Sequence, residues 1–356
     1  MATWDKENLP RENGELVPMQ VPMIVSASRS TDIPAFYADW FFHRLKVGYS
    51  AWKNPFNGNQ KLYVSYKNTR FIVFWSKDPR PLLSHLDYLK ERNIGCYIQY
   101  TLNDYEKEGL ERGVPNLSKR IDTFKQLVNK LGKGRVIWRF DPLILTDDIS
   151  IDALLSKIEN IGEQLHGYTE KLVFSYADIL SYRKVKANLV KSNIPYHEWT
   201  EPQMLEFAER LAKLNKKWRY TLATCGEKVD LQQFGIEHNH CVDDALIIRF
   251  AYEDKQLMDF LKVKTFPMPA PNLFGESESL PKDAILLPNN TYANHGDNRD
   301  KGQRLFCGCI VSKDIGEYNT CPHLCEYCYA NTSKQTAVLN YNCHKDNQWS
   351  ETITGK

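Results

Sequence analysis

The chain has 356 residues, 42% hydrophobic and 25% charged, with 46 Lys and Arg against 44 Asp and Glu for a net charge of +2. This ordinary globular mix excludes wholesale disorder, a collagen-like repeat and a small disulfide scaffold, and it gives no bulk attraction to nucleic acid or an anionic membrane. At about 150 residues per domain the length allows two to three domains, or one α/β barrel of roughly 250 residues with a smaller part attached.

The first twenty residues are polar, with Asp5, Lys6, Glu7, Arg11 and Glu12, and lack the basic-then-apolar pattern of a leader. No apolar run approaches the ~18 residues of a membrane span. The expectation is a cytoplasmic chain with no membrane segment. In a reducing compartment, clustered thiols serve metal or redox chemistry before disulfides.

From there, short β-rich runs alternate with helix-like stretches. The runs are 22–28, 71–76, 95–102, 135–140, 171–176, 218–223 and 245–250. Most are apolar on both faces, as in a parallel sheet covered by helices. The alternation predicts an α/β fold: a (β/α) TIM-like barrel or partial barrel, with a doubly wound open sheet as the alternative. Residues 61–66 add a hairpin or edge strand. After residue 261 the rhythm breaks into a long loop, 266–304, with Pro267, Pro269, Pro271, Pro281 and Pro288. The expected division is a barrel-like body (1–265), that loop (266–304), a cysteine-rich iron–sulfur module (305–331) and a polar tail (332–356).

In a parallel barrel the C-terminal strand ends carry the chemistry, and here they are polar. They hold Ser28-Arg29-Ser30-Thr31-Asp32, Ser76-Lys77-Asp78, Asn103-Asp104, Arg139-Phe140-Asp141, Asp178, Cys225-Gly226-Glu227 and Arg249. Arg29, Asp32, Lys77, Gln99, Arg139 and Asp141 are the candidate catalytic residues. Asn103, Asp141, Glu227 and Tyr327 are candidates for holding a cofactor. For Asp32, Asp78 and Asp178, helix capping competes with catalysis. Arg139 lies in an apolar run and needs an anionic partner, either Asp141 or a substrate.

Nine cysteines stand at 96, 225, 241, 307, 309, 321, 325, 328 and 343, five of them within 22 residues. Cys321-Pro-His-Leu-Cys325-Glu-Tyr-Cys328 reads C-x3-C-x2-C. Three thiolates in one loop suit three irons of a [4Fe–4S] cluster and leave the fourth iron open. Zinc is the rival, completed by His323 or Cys343. Cys225, Cys241, Cys307 and Cys309 number four, enough for a second [4Fe–4S] cluster or one zinc, with core thiols as the bland alternative. Cys96 reads as a buried strand residue and Cys343 as free.

The triad and the aromatic Tyr327 before its last cysteine are similar to the motif of radical S-adenosylmethionine (SAM) enzymes. Residues 307–331, Val25-Ser-Ala-Ser-Arg-Ser-Thr-Asp-Ile-Pro34, Phe71-Ile-Val-Phe-Trp-Ser-Lys-Asp-Pro79 and Val136-Ile-Trp-Arg-Phe-Asp-Pro142 resemble the family of the domain of unknown function 1848. That resemblance implies a barrel-like body with a radical SAM-like cluster and supplies no reaction. The expected function is a radical SAM-like enzyme acting on an unidentified substrate, with S-adenosylmethionine bound at the strand ends and a flavodoxin or ferredoxin as electron donor. Two features depart from that superfamily: the triad follows the strands instead of preceding them, and no Gly-Gly-Glu-like motif is present. The alternative is a structural or electron-carrying iron–sulfur or zinc protein whose barrel binds a partner or nucleic acid.

Overall fold

The computed structural model describes residues 4–54, 57–269, 280 and 283–355; Pro271 and Pro281 of the expected loop lie outside them. Its centre is an eight-stranded sheet in which every pairing is parallel. The strands are β1 (Ile24–Ala27), β2 (Phe71–Ser76), β3 (Gly95–Thr101), β4 (Val136–Leu143), β5 (Lys171–Tyr176), β6 (Thr221–Thr224), β7 (Ile236–His238) and β8 (Lys313–Asp314). Strands β1 to β7 lie in chain order. β8 then returns to the outer edge of β1, pairing Lys313 with Val25.

Among the described residues β7 and β8 do not pair, so the ladder has two edges and the sheet is not a closed barrel. One backbone bond, from the Ile310 N–H to the Val242 carbonyl (3.0 Å), joins the segments beside those edges.

Strand alternation sorts the core into two sets. Val25, Ile72, Phe74, Ile98, Trp138, Phe140 and Phe174 face the larger cluster. Helices α1 (Ile33–Phe36), α2 (Ala38–Val47), α3 (Leu86–Glu91), α4 (Leu117–Leu131), α5 (Ile151–Leu165), α6 (Arg183–Lys191) and α7 (Glu201–Asn215) follow the strands and mostly contribute to that cluster. Ile24, Phe71, Val73, Tyr97, Ile137 and Val173 face the other cluster. That face is packed by α8 (Asp244–Ala251), α9 (Lys255–Phe260) and Ile310. At its C-terminal end the same alternation aligns Ser26, Trp75, Gln99, Arg139, Asp141 and Ser175.

One strand needs correction, and two other stretches carry more structure than expected. Residues 245–250 are not the seventh strand but most of α8. A short apolar run cannot be told from a buried helix by periodicity alone, and Asp243 decides it by capping the Leu246 N–H at 3.1 Å. Arg249 is therefore on a helix and pairs with Glu170 at 2.7 Å. The polar tail contains α10 (Lys334–Asp346), started by Ser333, whose hydroxyl accepts the Thr336 N–H. The 266–304 stretch is also not all loop, because Lys264–Pro267, Ile285–Leu286 and Thr291–Asn294 form a small antiparallel sheet. The run at 61–66 falls largely in strand Asn57–Ser65, which pairs antiparallel with Tyr49–Asn54.

Candidate metal centre

Cys321, Cys325 and Cys328 lie in a segment of turns between β8 and α10, laid over the C-terminal ends of β1, β2 and β3. The segment is held from several sides. The Tyr37 hydroxyl donates to the Thr320 carbonyl at 2.6 Å, the Glu326 N–H to Leu110 at 2.9 Å, and the Asn188 amide to the Cys328 carbonyl at 3.0 Å. Gly113 and His323 exchange contacts: the Gly113 N–H donates to the His323 carbonyl, and the Gly113 carbonyl accepts from His323 Nδ1. A Cβ at Gly113 would stand 2.6 Å from that His323 carbonyl oxygen, so the close approach requires glycine.

The triad sulfurs are met by backbone donors. The Asn331 N–H reaches Cys328 Sγ at 3.3 Å, and the N–H groups of His323 and Asp32 reach Cys321. Burial pushes all three thiols up, with Lys77 pulling against it at Cys325 and Cys328. A bound metal ion ionises a coordinating thiol outright, and the waiting N–H donors suit a thiolate. The donor set therefore fits a thiolate-ligated metal group.

Beside the triad is a buried polar knot. Lys77 Nζ donates to Glu111 (2.7 Å) and to the Tyr327 hydroxyl (2.8 Å), and the Asn103 amide reaches the same two groups at 3.2 and 3.1 Å. The Tyr327 hydroxyl also donates to Glu111. Burial alone would raise the Glu111 carboxyl, but the Lys77 and Arg120 cations outweigh it and hold it at about 2. Asp32 is saturated: it accepts from Ala35 N–H (3.0 Å), Ser76 Oγ (2.7 Å), Lys77 N–H (2.7 Å) and His323 Nε2 (2.7 Å). It caps α1 and anchors the triad segment at once.

The other four cysteines also meet. Cys225 follows β6, Cys241 follows β7, and Cys307-Gly-Cys309 precedes β8. Cys225 Sγ is 3.3 Å from Cys241 Sγ, and Cys309 contacts the sulfurs of both Cys241 and Cys307. Cys241 Sγ accepts from Asn239 Nδ2 and Arg139 Nη1, both at 3.1 Å, and Cys309 Sγ accepts from the Val242 N–H at 3.4 Å. Bonds from Cys225 and Cys309, with the Arg139 charge, pull the Cys241 thiol down, while Cys225 is pushed up by its bond to Cys241 and by burial.

Gln99, Arg139 and Arg29 stand on this side. Gln99 donates to the Cys241 carbonyl (2.8 Å) and accepts from Arg139 (3.2 Å). Arg29 and Arg139 flank the Trp75 ring at 5.4 and 5.3 Å. Burial works against the Arg29 charge, and Cys309, Asp314, Cys241 and Cys307 sustain it. Arg139 is paired with Asp141, which also accepts from Ser175. Asn103 bridges onward: its amide donates to the Asp141 carbonyl (3.2 Å) and its Oδ1 accepts the Asp141 N–H (2.9 Å). An unbroken run of contacts thus joins Cys241 to Tyr327 through Arg139, Asp141 and Asn103. Glu227, which accepts the Tyr176 N–H at 3.0 Å, is pushed up to about 7, chiefly by burial.

So Lys77, Asn103 and Tyr327 gather at the triad, Arg29, Gln99 and Arg139 at the tetrad, and Asp141 between them. Sequence reasoning missed Glu111 and Arg120: Glu111 is in the polar 102–116 connection and Arg120 in the first turns of α4, where charges usually face water. Cys96 is buried in β3, as expected.

The chain is thus a parallel α/β sheet with two groups of cysteines across the C-terminal ends of its strands. The chain belongs to the family Domain of unknown function (DUF1848), whose sequence model matches residues 24–330 and so spans the sheet and both cysteine groups. No curated protein and no solved structure matches the chain.

Proposed function

We propose that the protein is a radical SAM-like iron–sulfur enzyme whose [4Fe–4S] cluster is held by Cys321, Cys325 and Cys328. The observation that carries this reading concerns His323. It is the imidazole within the triad motif and one of the two residues, with Cys343, that could complete a zinc site. Both of its ring nitrogens are engaged, Nε2 with Asp32 at 2.7 Å and Nδ1 with the Gly113 carbonyl at 3.1 Å. With His323 taken up by the chain, the three thiols match a cluster with one open iron. When bound, that group would supply the electron that breaks the S–C5′ bond of S-adenosylmethionine, giving methionine and a 5′-deoxyadenosyl radical.

The chain's own residues divide the remaining work. Lys77, paired with Glu111 and Tyr327, sets a positive charge near Cys325. Asp141, Asn103 and Glu227 are the groups to receive the amino end of S-adenosylmethionine, and Arg29, Gln99 and Arg139 border the space for substrate. The C-terminal ends of the strands would border that space. Nine free cysteines suit a reducing cytoplasm and a flavodoxin or ferredoxin donor. No helix of the described residues is long and apolar enough to cross a membrane.

One observation favours a second reading. Asp32, Asn103, Asp141, Glu111 and Tyr327 are hydrogen-bonded to one another or to neighbouring chain, which suits a structural or electron-carrying centre on a body that binds a protein partner or nucleic acid. Anaerobic iron and sulfide analysis with electron paramagnetic resonance separates the two. The enzyme reading expects a reduced-cluster signal of which a part changes on adding S-adenosylmethionine, and that responsive part disappears in Cys325→Ala. A signal indifferent to S-adenosylmethionine moves the protein to the second reading, and zinc without iron ends the first.

A further inference from the structure

We propose that Cys225, Cys241, Cys307 and Cys309 form a second metal centre, a closed four-thiolate site separate from the triad, with Arg29 and Arg139 as its counter-cations. The inference goes beyond the radical SAM reading and does not depend on it.

Convergence is the first argument. The four thiols come from three chain segments, after β6, after β7 and before β8, and yet form a continuous row of contacts that begins with the 3.3 Å approach of Cys225 to Cys241. Sulfurs that pack only as core residues do not need polar donors, yet these receive three: Asn239 Nδ2, Arg139 Nη1 and the Val242 N–H. Gly308 lies close under the His240 ring: a Cβ there would stand 2.1 Å from it, so any other residue would have to turn that side chain aside.

Charge is the second argument. A buried guanidinium needs an anion. Arg139 has Asp141, but Arg29 Nη2 is closed off from solvent with no hydrogen-bond partner. Asp314 supports the charge from nearby, but its carboxylate accepts from Ser26, Ser28, the Arg29 N–H and the Gly316 N–H and leaves Nη2 without a partner. Four thiolates around a zinc ion or a [4Fe–4S]2+ core carry about −2. Arg29, together with the Arg139 that Asp141 already partly offsets, sets positive charge beside them over the Trp75 indole. With four protein ligands the coordination is complete, as in structural or electron-carrying sites, while the triad keeps one position open.

The zinc ion and the cluster share this ligand chemistry, and metal analysis tells them apart. The test uses protein purified anaerobically from medium containing both metals. The triple variant Cys321→Ala, Cys325→Ala, Cys328→Ala is expected to retain either about four iron with matching sulfide or about one zinc per chain. The double variant Cys241→Ser, Cys309→Ser should lose that increment and keep whatever the triad holds. A folded triple variant with no bound metal overturns the proposal and leaves the triad reading untouched. If the triple variant does not fold, the wild-type protein decides. Alkylation mapped by mass spectrometry should show Cys225, Cys241, Cys307 and Cys309 protected, then labelled at least tenfold more after metal removal. Equal labelling before and after removal overturns the proposal.

Discussion

Lys77 shows how one side chain ties the triad segment to the sheet. It neutralises the buried Glu111, contacts Tyr327 and lies over that ring at 5.2 Å. Removing one member of a buried ion pair leaves an uncompensated charge, which costs about 3–5 kcal/mol. Arg120 still faces Glu111 at 3.8 Å, so Lys77→Met should fall at the low end, roughly 3 kcal/mol in urea unfolding. Tyr327→Phe removes hydrogen bonds while both charges stay paired, and should cost about 1 kcal/mol. A smaller loss for Lys77→Met than for Tyr327→Phe would show that the ion pair does not anchor the segment. Lys77, Asn103 and Tyr327 were legible because they stand at a strand end or in the cysteine motif. Glu111 and Arg120 were not, because only the fold turns them inward.

Among the elements, the clearest test is where the triad segment leaves β8. A Cβ at Gly316 would lie 1.8 Å from Ser28 Oγ and 2.5 Å from Ser30 Oγ. Gly316→Ala should therefore push the segment off the end of β1, costing about 1–3 kcal/mol in urea unfolding, as overpacking does. The small antiparallel sheet is fastened differently: His295, just past Thr291–Asn294, pairs with Asp244 of α8 at 3.0 Å. That bond raises His295 to about 9, against burial. A raised histidine adds stability that is fully present below its unfolded value of about 6.5 and lost as pH rises through the folded one. The stability gap between wild type and His295→Asn should be widest near pH 6 and shrink by pH 9.5; a gap that does not narrow removes the charge from the account. Most strands were legible in the sequence because they are apolar on both faces. The residues 236–238 and 313–314 that became β7 and β8 were not, since they are short and polar and join the sheet only through their neighbours. The triad was legible from its spacing, whereas the meeting of Cys225 and Cys241 with Cys307 and Cys309 needed the fold.

At the scale of the whole molecule, the cysteine-bearing segments are not an appended module. The larger core cluster includes Val25, Cys325, Tyr327 and Ile353, and the smaller one includes Ile24, Cys241, Cys309 and Ile310. Both cores draw on early and late parts of the chain, so fluorescence and far-ultraviolet circular dichroism should report one coincident unfolding transition. An earlier, separate loss of one signal would indicate an independent module. The pairing of Lys313 with Val25 has a further consequence. The two partners are 288 residues apart (313 − 25), so at ribosomal speeds of about 5–20 residues per second β1 waits roughly 15–60 s for its outer neighbour. Throughout that wait the nascent chain offers an open strand edge and an uncovered apolar face, the form most prone to stick to other chains. Cys309 is made just before that wait ends and the three triad cysteines just after it, so until then the growing chain is a natural client for a chaperone.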